Sequence, residues 1–365
     1  MVERERRLFI DHRTGSFSER WIAYCQQHGL AFSIVNCLQT NIIEKLTGAY
    51  ALLWHWSQDD ARETLVALHV LTAAESMGIA VFPNRATCWH FNDKVAQKYL
   101  LEAVGAPLVP SHVFYSLDEA LQWIEHVSFP KVFKLRKGAG SANVRLVNNR
   151  AEAVSAAKRA FGRGFRPVPH YWQDGRRRYR AARRRGSLLS ALKRAPNTLR
   201  RIAEMNQAIG RERGYVYFQD FMPDNCHDTR VTVIGNRAFA FIRKVRPGDF
   251  RASGSGDIDY NPGNIRPECI QIAFEVTQRV GSQSMAFDFV SAPNRQPMIV
   301  EVSYCYAADV VHNCPGHWDP QLQWHAGQIW PEEAILVDLL ATINKSPSFT
   351  CLPLVTQKTF AHVTK

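Results

Sequence analysis

No apolar stretch in this 365-residue chain approaches the roughly 20 residues that a membrane span requires. Its start, MVERERRLFIDHRTG, carries charge but neither a long apolar run nor a small-residue cleavage site, so a cytoplasmic protein is expected. The eight cysteines contain no CxxC pair, and without an export signal they are expected as reduced thiols. The nearest approach to a metal cluster, Cys305, His312, Cys314 and His317, matches no standard finger spacing and reads as a loop facing a substrate. No GxGxxG follows the first apolar strand, which removes the dinucleotide fingerprint, and no internal repeat is visible.

With 46% hydrophobic residues the chain can bury a substantial core and is long enough for two or three domains. Its formal charge is +12, and the surplus is local. Residues 163–213 hold 15 Lys and Arg against three acids, so that segment alone accounts for it. The segment reads as a basic insertion between more regular neighbours. It can be a solvated face, or an appendage for a phosphorylated ligand, an acidic membrane surface or nucleic acid. Nucleic acid ranks last, because Tyr171, Trp172 and Tyr179 are the only stacking surfaces and no nucleic-acid motif surrounds them.

The first 90 residues alternate strand-length apolar runs (RRLFIDH, AFSIVNC, YALLWHW) with helical patterns that end at Gly, as a parallel α/β sheet requires. A second unit opens at NDKVAQKYLLEAVG, where Asn92 or Asp93 can cap a helix. The strand FPKVFKLR follows, with Lys134 between Phe133 and Leu135, either facing a cleft or snorkelling outward from an edge. Gly138, Gly140 and Ser141 come next and can bring backbone N–H groups close to an anion. Residues 215–256 then alternate as antiparallel strands around a Gly-Asn turn, carrying Arg230, Arg243, Lys244, Arg246 and Arg251.

The stretch SMAFDFVSAPNRQPMIVEVS, 284–303, reads as a hairpin with one acid in each arm, Asp288 and Glu301. Asp288 shares a strand face with Ala286 and Val290, and Glu301 with Ile299 and Ser303. Paired arms point both carboxylates into one space, where they need a counterion, either Mg²⁺ or the nearby arginines.

The order of these motifs resembles the ATP-grasp superfamily of carboxylate-amine ligases, in the branch of glutathione synthetases and ribosomal-protein glutamate ligases, over roughly residues 90 to 305. The resemblance implies an N-terminal parallel α/β domain (1–90), an ATP-grasp central and lid subdomain carrying the basic insertion (91–220), and an antiparallel C-terminal subdomain for metal and substrate (221–350). It implies ATP and Mg²⁺ as cofactors. Lys94, Lys134, Gly138, Gly140 and Ser141 would hold the phosphates, Gln219, Asp220, Phe221 and Met222 the adenine hinge, and Asp228 the ribose. Arg230, Lys244 and Arg251 would surround the γ-phosphate and acyl substrate. Asp288, Glu301 and Ser303 would bind metal, with Ser303 standing where the family has Asn.

The chemistry so implied is phosphorylation of a small-molecule carboxylate followed by attack of an amine on the acylphosphate. The setting would be cell-surface polysaccharide or amino-acid-derived metabolite biosynthesis. His312, His317 and Trp318 are candidate substrate contacts. A phosphorylated or membrane-linked acceptor on the basic insertion, a location at the inner face of the membrane and a homodimer are further expectations. A phosphotransferase without ligation, and a nucleic-acid- or acidic-membrane-binding protein without catalysis, stay open as alternatives.

Overall fold

The computed structural model describes residues 7–138, 143–167, 210–246, 252 and 256–345. Gly140, Ser141, Arg251 and residues 168–209 of the basic insertion lie outside the described residues.

Three sheets follow one another along the chain. The first is parallel, in the order β2-β1-β3-β4, from β1 (Leu8–Asp11), β2 (Phe32–Val35), β3 (Ala51–Leu53) and β4 (Ala80–Phe82). All three residues of β3 are buried, as a central parallel strand covered on both faces should be. Helix Ala61–Ser76 starts where Asp60 accepts the Arg62 N–H, one of the donors a helix start leaves without an internal partner.

The second sheet is antiparallel, in the order β5-β8-β6-β7, from β5 (Ser111–Phe114), β6 (Lys131–Lys134), β7 (Val144–Val147) and β8 (Val216–Asp220). Helices Leu117–His126 and Arg150–Phe161 cover its apolar face through Ala120, Ile124, Ala153, Ala157 and Phe218. Sequence alternation groups the YVYFQDFM strand with the hairpin after it, but β8 joins the chain before the basic insertion instead. Alternation reports which face of a strand is apolar and says nothing of its partner.

The third sheet is antiparallel, in the order β13-β12-β9-β10-β14-β15. Its strands are β9 (His227–Ile234), β10 (Arg237–Lys244), β12 (Ser284–Ser291), β13 (Pro297–Ser303), β14 (Gly316–Trp318) and β15 (Trp324–Ala326), with the short β11 (Ile258–Asp259) on β10. One face packs Val231, Val233, Ala240, Met285 and Phe287 against helix Pro267–Val280. The other face is divided. Its lower end, through Phe239, Phe241, Ala286 and Tyr304, joins the core of the first sheet, and its upper end opens into a cleft beneath the second sheet.

That joined core also takes in helix Pro331–Lys345, which packs against helix Ser18–Gln27. Trp21 is fully buried there, and its indole Nε1 donates to the Glu332 carbonyl at 2.9 Å. Trp21→Ala removes a large aromatic from a packed site and is expected to lower unfolding stability by about 3–5 kcal/mol. The measurement is denaturant unfolding, read as a lower midpoint at unchanged slope. A loss under about 1 kcal/mol would mean that the two ends of the chain do not share this core.

Candidate functional site

Strand alternation places every charged residue of the cleft floor on one side of the third sheet. Asp228 and Arg230 are two apart on β9, and cross-strand register sets Arg243 of β10 opposite Asp228 and Asp288 of β12 opposite Arg230. The side chains then pair in the plane of the sheet. Arg230 makes a two-point bond to Asp288, at 2.7 and 2.9 Å, and Arg243 makes another to Asp228, at 2.7 and 2.5 Å. The same terminal nitrogen of Arg243 that meets Asp228 also lies 2.9 Å from Asp288. All four charges sit in a largely desolvated place, where an unpaired one would be costly. Burial alone would push the Asp288 carboxyl up, but the two guanidinium groups outweigh it and hold the group well below the usual carboxylate range.

Asp288 also faces Glu301 directly across the β12–β13 hairpin, and between Asp288 and Phe289 the register slips. Phe289 opposes Ile299, so Val300 is the extra residue of a β-bulge. The consequence is local and large. Ile299 is fully buried in the core beside helix Pro267–Val280, while Val300 and Glu301 both line the cleft. Simple alternation had put Ile299 and Glu301 on one face, and the bulge separates them.

Above this floor, β6 contributes Lys134. It is 4% exposed, and its Nζ donates to the Val300 carbonyl at 3.4 Å. Among the described residues no carboxylate lies within ion-pair distance of it. Burial lowers its ammonium to about 8, with Glu301 opposing that shift and Lys94 adding to it. Lys94, the first residue of helix Lys94–Ala103, stands beside it. Its ammonium is 3.1 Å from Glu301 and donates to the Gly138 carbonyl at 2.6 Å.

The helix is capped by Asp93, which accepts the Val95 and Ala96 N–H groups. Asn92 does something different: at φ +55° it turns its side-chain oxygen to the Gly138 N–H at 2.8 Å. Gly138 has φ +119°, and a Cβ there would lie 2.1 Å from the Asn143 side chain, so no other residue fits. Asn143 in turn donates to the Lys137 carbonyl at 3.0 Å, which fixes both feet of the glycine-rich loop.

The end of β8 supplies the remaining wall. Gln219, Asp220, Phe221 and Met222 line the cleft with Asp228, Asp288 and Glu301, together with Val109, Val132, Asn225 and His227. The space is about 810 Å³, part of it open to solvent. Gln219 is 2% exposed and its amide donates to Ser111. The Asp220 carboxylate is held by Lys131 at 2.6 Å, so this side chain is already committed within the wall of the cleft. Asn225 locks the following loop to β12 through both polar atoms, to Ser291 N–H and C=O.

Other candidates lie elsewhere. Ser303 does not line the cleft; its hydroxyl donates to the Cys305 carbonyl at 2.9 Å and accepts the Cys305 N–H at 3.1 Å. Lys244 is mostly exposed, 3.6 Å from Asp257. His312 stacks on Trp330 at 3.6 Å, while His317 and Trp318 sit on β14, where His317 pairs His325 and Trp318 packs on Trp324. Arg243 and Lys131 are the residues that sequence reasoning passed over. Arg243 was one basic residue among five along residues 215–256, and its pairing with Asp228 depends on register that no short motif carries.

Glu301 and Asp288 are the carboxylates of the β12–β13 hairpin that could hold a divalent cation. Glu301 fits: one of its oxygens meets Lys94, and the other has no partner among the described residues. Asp288 has both oxygens engaged by guanidinium groups, so it can serve as a ligand only by releasing one of them. Hard carboxylate oxygens from adjacent strands suit Mg²⁺ better than a softer metal.

Two variants test these electrostatics. Asp288→Ala strands two guanidinium groups and is expected to cost about 3–5 kcal/mol in denaturant unfolding. For Lys134 the sign runs the other way from an ion pair. The folded group releases its proton near 8 and the unfolded one near 10.5, so the unfolded chain binds more protons between those values and stability rises with pH across them. The unfolding free energy of wild type minus Lys134→Met should therefore climb, by up to about 3 kcal/mol, from pH 8 to 10.5. A flat difference would show that Lys134 is not desolvated.

Residues 190–311 match the family model of the RimK-like ATP-grasp domain. No curated protein sequence matches the chain. Among solved structures, a RimK-domain ATP-grasp protein from Sphaerobacter thermophilus is 15% identical with a TM-score of 0.52, the alignment covering 92% of this chain and 99% of that one. D-alanine–D-alanine ligase from Bacillus anthracis, complexed with ATP, is 11% identical with a TM-score of 0.55, covering 94% and 100%. The biotin carboxylase domain of Hydrogenobacter thermophilus 2-oxoglutarate carboxylase, solved with MgADP and bicarbonate, is 14% identical with a TM-score of 0.55, covering 91% and 69%. With two antiparallel sheets closing on one charged cleft behind a parallel N-terminal sheet, the chain has the ATP-grasp fold, and its residues 190–311 are similar to the RimK-like ATP-grasp domain.

Proposed function

We propose that the protein is an ATP- and Mg²⁺-dependent ligase that joins a small-molecule carboxylate to an amine through an acylphosphate. The observation that carries this reading is the convergence of Lys134, the 219–222 edge, Asp288 and Glu301 on one cleft between two sheets. Similarity in fold to an ATP complex and a MgADP complex supports it.

In this reading the adenine lies along the backbone of Gln219 to Met222, since the Asp220 side chain is committed to Lys131. Asp228 serves the ribose, and Lys94 and Lys134 face the phosphates with the loop of Gly138, Gly140 and Ser141. Counting Asp228, Asp288 and Glu301 against Arg230, Arg243, Lys94 and Lys134, the site holds one more cation than anions. Such a field favours a polyanion. Glu301, and Asp288 once it releases a guanidinium, would hold Mg²⁺, which would supply charge neutralisation for phosphoryl transfer.

The substrate carboxylate oxygen attacks the γ-phosphorus as the bond to the bridging oxygen breaks, and ADP leaves. The amine nitrogen then attacks the acyl carbon, phosphate departs and the nitrogen loses a proton. Lys134 and Arg230, with Arg251 as the sequence suggests, act by stabilising charge, with no covalent bond to the protein. Residues 91–220 serve as the part that closes over the nucleotide, excluding water from the acylphosphate.

Thermal unfolding with and without Mg-ATP, on wild type and Glu301→Gln, is the test. Saturation at about 100 times Kd adds roughly 2.7 kcal/mol, an increase of several degrees in Tm. Wild type should show it and the variant should lose most of it. Absence of a shift in wild type would sink the nucleotide site. ADP release that needs both an acid and an amine separates ligation from simple phosphotransfer.

A further inference from the structure

Alternation along β7 sends successive side chains to opposite faces of the second sheet. Val144 lines the cleft, so Arg145 belongs to the far face, where Phe133, its partner across β6, meets Phe165 with ring centroids 5.0 Å apart. The Arg145 guanidinium lies 4.8 Å from the Phe133 ring and 5.9 Å from that of Phe165. Arg159, in the last turn of helix Arg150–Phe161, lies over the same Phe165 ring at 4.4 Å. A third guanidinium joins them through a shared acceptor. Arg159 Nε and a terminal nitrogen of Arg211 both donate to the Gly164 carbonyl at 3.3 Å, and that Arg211 nitrogen also reaches the Arg163 carbonyl at 3.1 Å. Three guanidinium groups therefore gather around Gly164 and Phe165.

The backbone beneath them is fixed. Phe165 and Glu212 exchange both of their main-chain hydrogen bonds, at 2.9 and 2.8 Å. Gly164 has φ +68°, and a Cβ there would lie 2.7 Å from the Glu212 carbonyl. A helix end leaves open carbonyls that basic side chains can serve, but those of Lys158, Arg159 and Ala160 are already taken by the N–H groups of Gly162, Gly164 and Gly214. The acids of this region are committed as well: Glu152 accepts the Asn148 N–H and the Asn149 amide, and the buried Glu212 accepts the Tyr215 hydroxyl. Among the described residues no carboxylate lies within ion-pair distance of Arg145, Arg159 or Arg211, and all three are exposed. Partial burial, and then the charge of Arg159, lower the Arg145 guanidinium from its ordinary value, with Glu152 opposing.

We propose that Arg145, Arg159 and Arg211 form a binding site for a phosphate monoester, on the face of the second sheet opposite the cleft and independent of it. Like charges gathered without a counterion favour a ligand that supplies one. One guanidinium fork is enough for a carboxylate, whereas a phosphate monoester brings about −1.5 to −2 charge and three acceptor oxygens, a match for several forks at once. The phenyl rings hold the guanidinium groups of Arg145 and Arg159 in place, and the Gly164 carbonyl engages only the Nε of Arg159, whose terminal nitrogens have no partner among the described residues. A soluble phosphorylated compound and the headgroup of phosphatidic acid present this same group.

The test is calorimetric titration with glycerol 3-phosphate, glycerate and glycerol, beside co-sedimentation with phosphatidylcholine vesicles with and without phosphatidic acid. Three proteins are compared: wild type, the pair Arg145→Gln with Arg159→Gln, and the pair Lys158→Gln with Arg166→Gln, which removes the same charge from exposed residues outside the cluster. Wild type should bind the phosphate ester or the phosphatidic acid vesicles, and more tightly than glycerate or plain vesicles. The cluster pair should weaken that binding about tenfold, and the other pair much less. Response to the soluble ester identifies a free ligand, and response to the vesicles alone identifies a headgroup. Three results overturn the proposal: a wild type that binds neither probe, glycerate held as tightly as glycerol 3-phosphate, or equal losses in the two pairs, which would mean diffuse charge. Full binding in the cluster pair overturns it too, since phosphate held by Lys94 and Lys134 in the cleft would survive there. An unchanged thermal midpoint shows that the cluster pair is folded, and Arg159→Gln alone, which keeps Arg145 on its rings, should show part of the same loss.

Discussion

Asp288 is a carboxylate placed almost out of reach of water on the second strand of a sheet, and nearly everything around the cleft is arranged to keep it charged. Two guanidinium groups reach it from β9 and β10, and one of them also serves Asp228. Removing any member leaves a buried charge without its partner, so the four side chains behave as one unit. Their alignment requires three strands in correct register, and a one-residue slip would turn the set toward helix Pro267–Val280. The floor of the cleft is in this sense a check on the assembly of the whole third sheet.

Glu301 belongs to a looser arrangement beside it. It is a third exposed, meets one lysine, and owes its direction to the bulge at Val300. The two acids of the hairpin therefore differ in kind: Asp288 is charge-balanced by the protein, and Glu301 has an oxygen free. Lys134, with no carboxylate within ion-pair distance among the described residues, adds a cation above them. The site is pre-organised for negative charge in its upper half while its lower half is internally neutral.

Much of this was legible in the sequence because the signals were local. The parallel N-terminal sheet followed from alternating strand and helix patterns, and the acids of the hairpin from a turn between two apolar arms. The capping role of Asp93 and the glycine at 138 are likewise short-range matters of hydrogen bonds and φ. What escaped was register and partnership. The bulge moved Ile299 to the core, β8 left the hairpin that follows it to join strands nearly a hundred residues earlier, and the Ser303 hydroxyl turned to its own backbone. Each outcome is decided by packing against distant elements, which periodicity cannot report. Arg243 was visible only as one of five basic residues until register set it opposite Asp228.

The joined core has a bearing on how such a chain can be recombined. By strand order, residues 8–82 form a self-contained layer, and a cut near 90 would look harmless. Yet Tyr304, Phe239, Phe241 and the face of helix Pro331–Lys345 fill the same interior as Leu8, Trp21, Trp54 and Phe82. An exchange of the first 90 residues between related proteins would join two half-interiors shaped for other partners. The N-terminal layer and the last helix must change together, so inherited variation at one is constrained by the other more than 200 residues away.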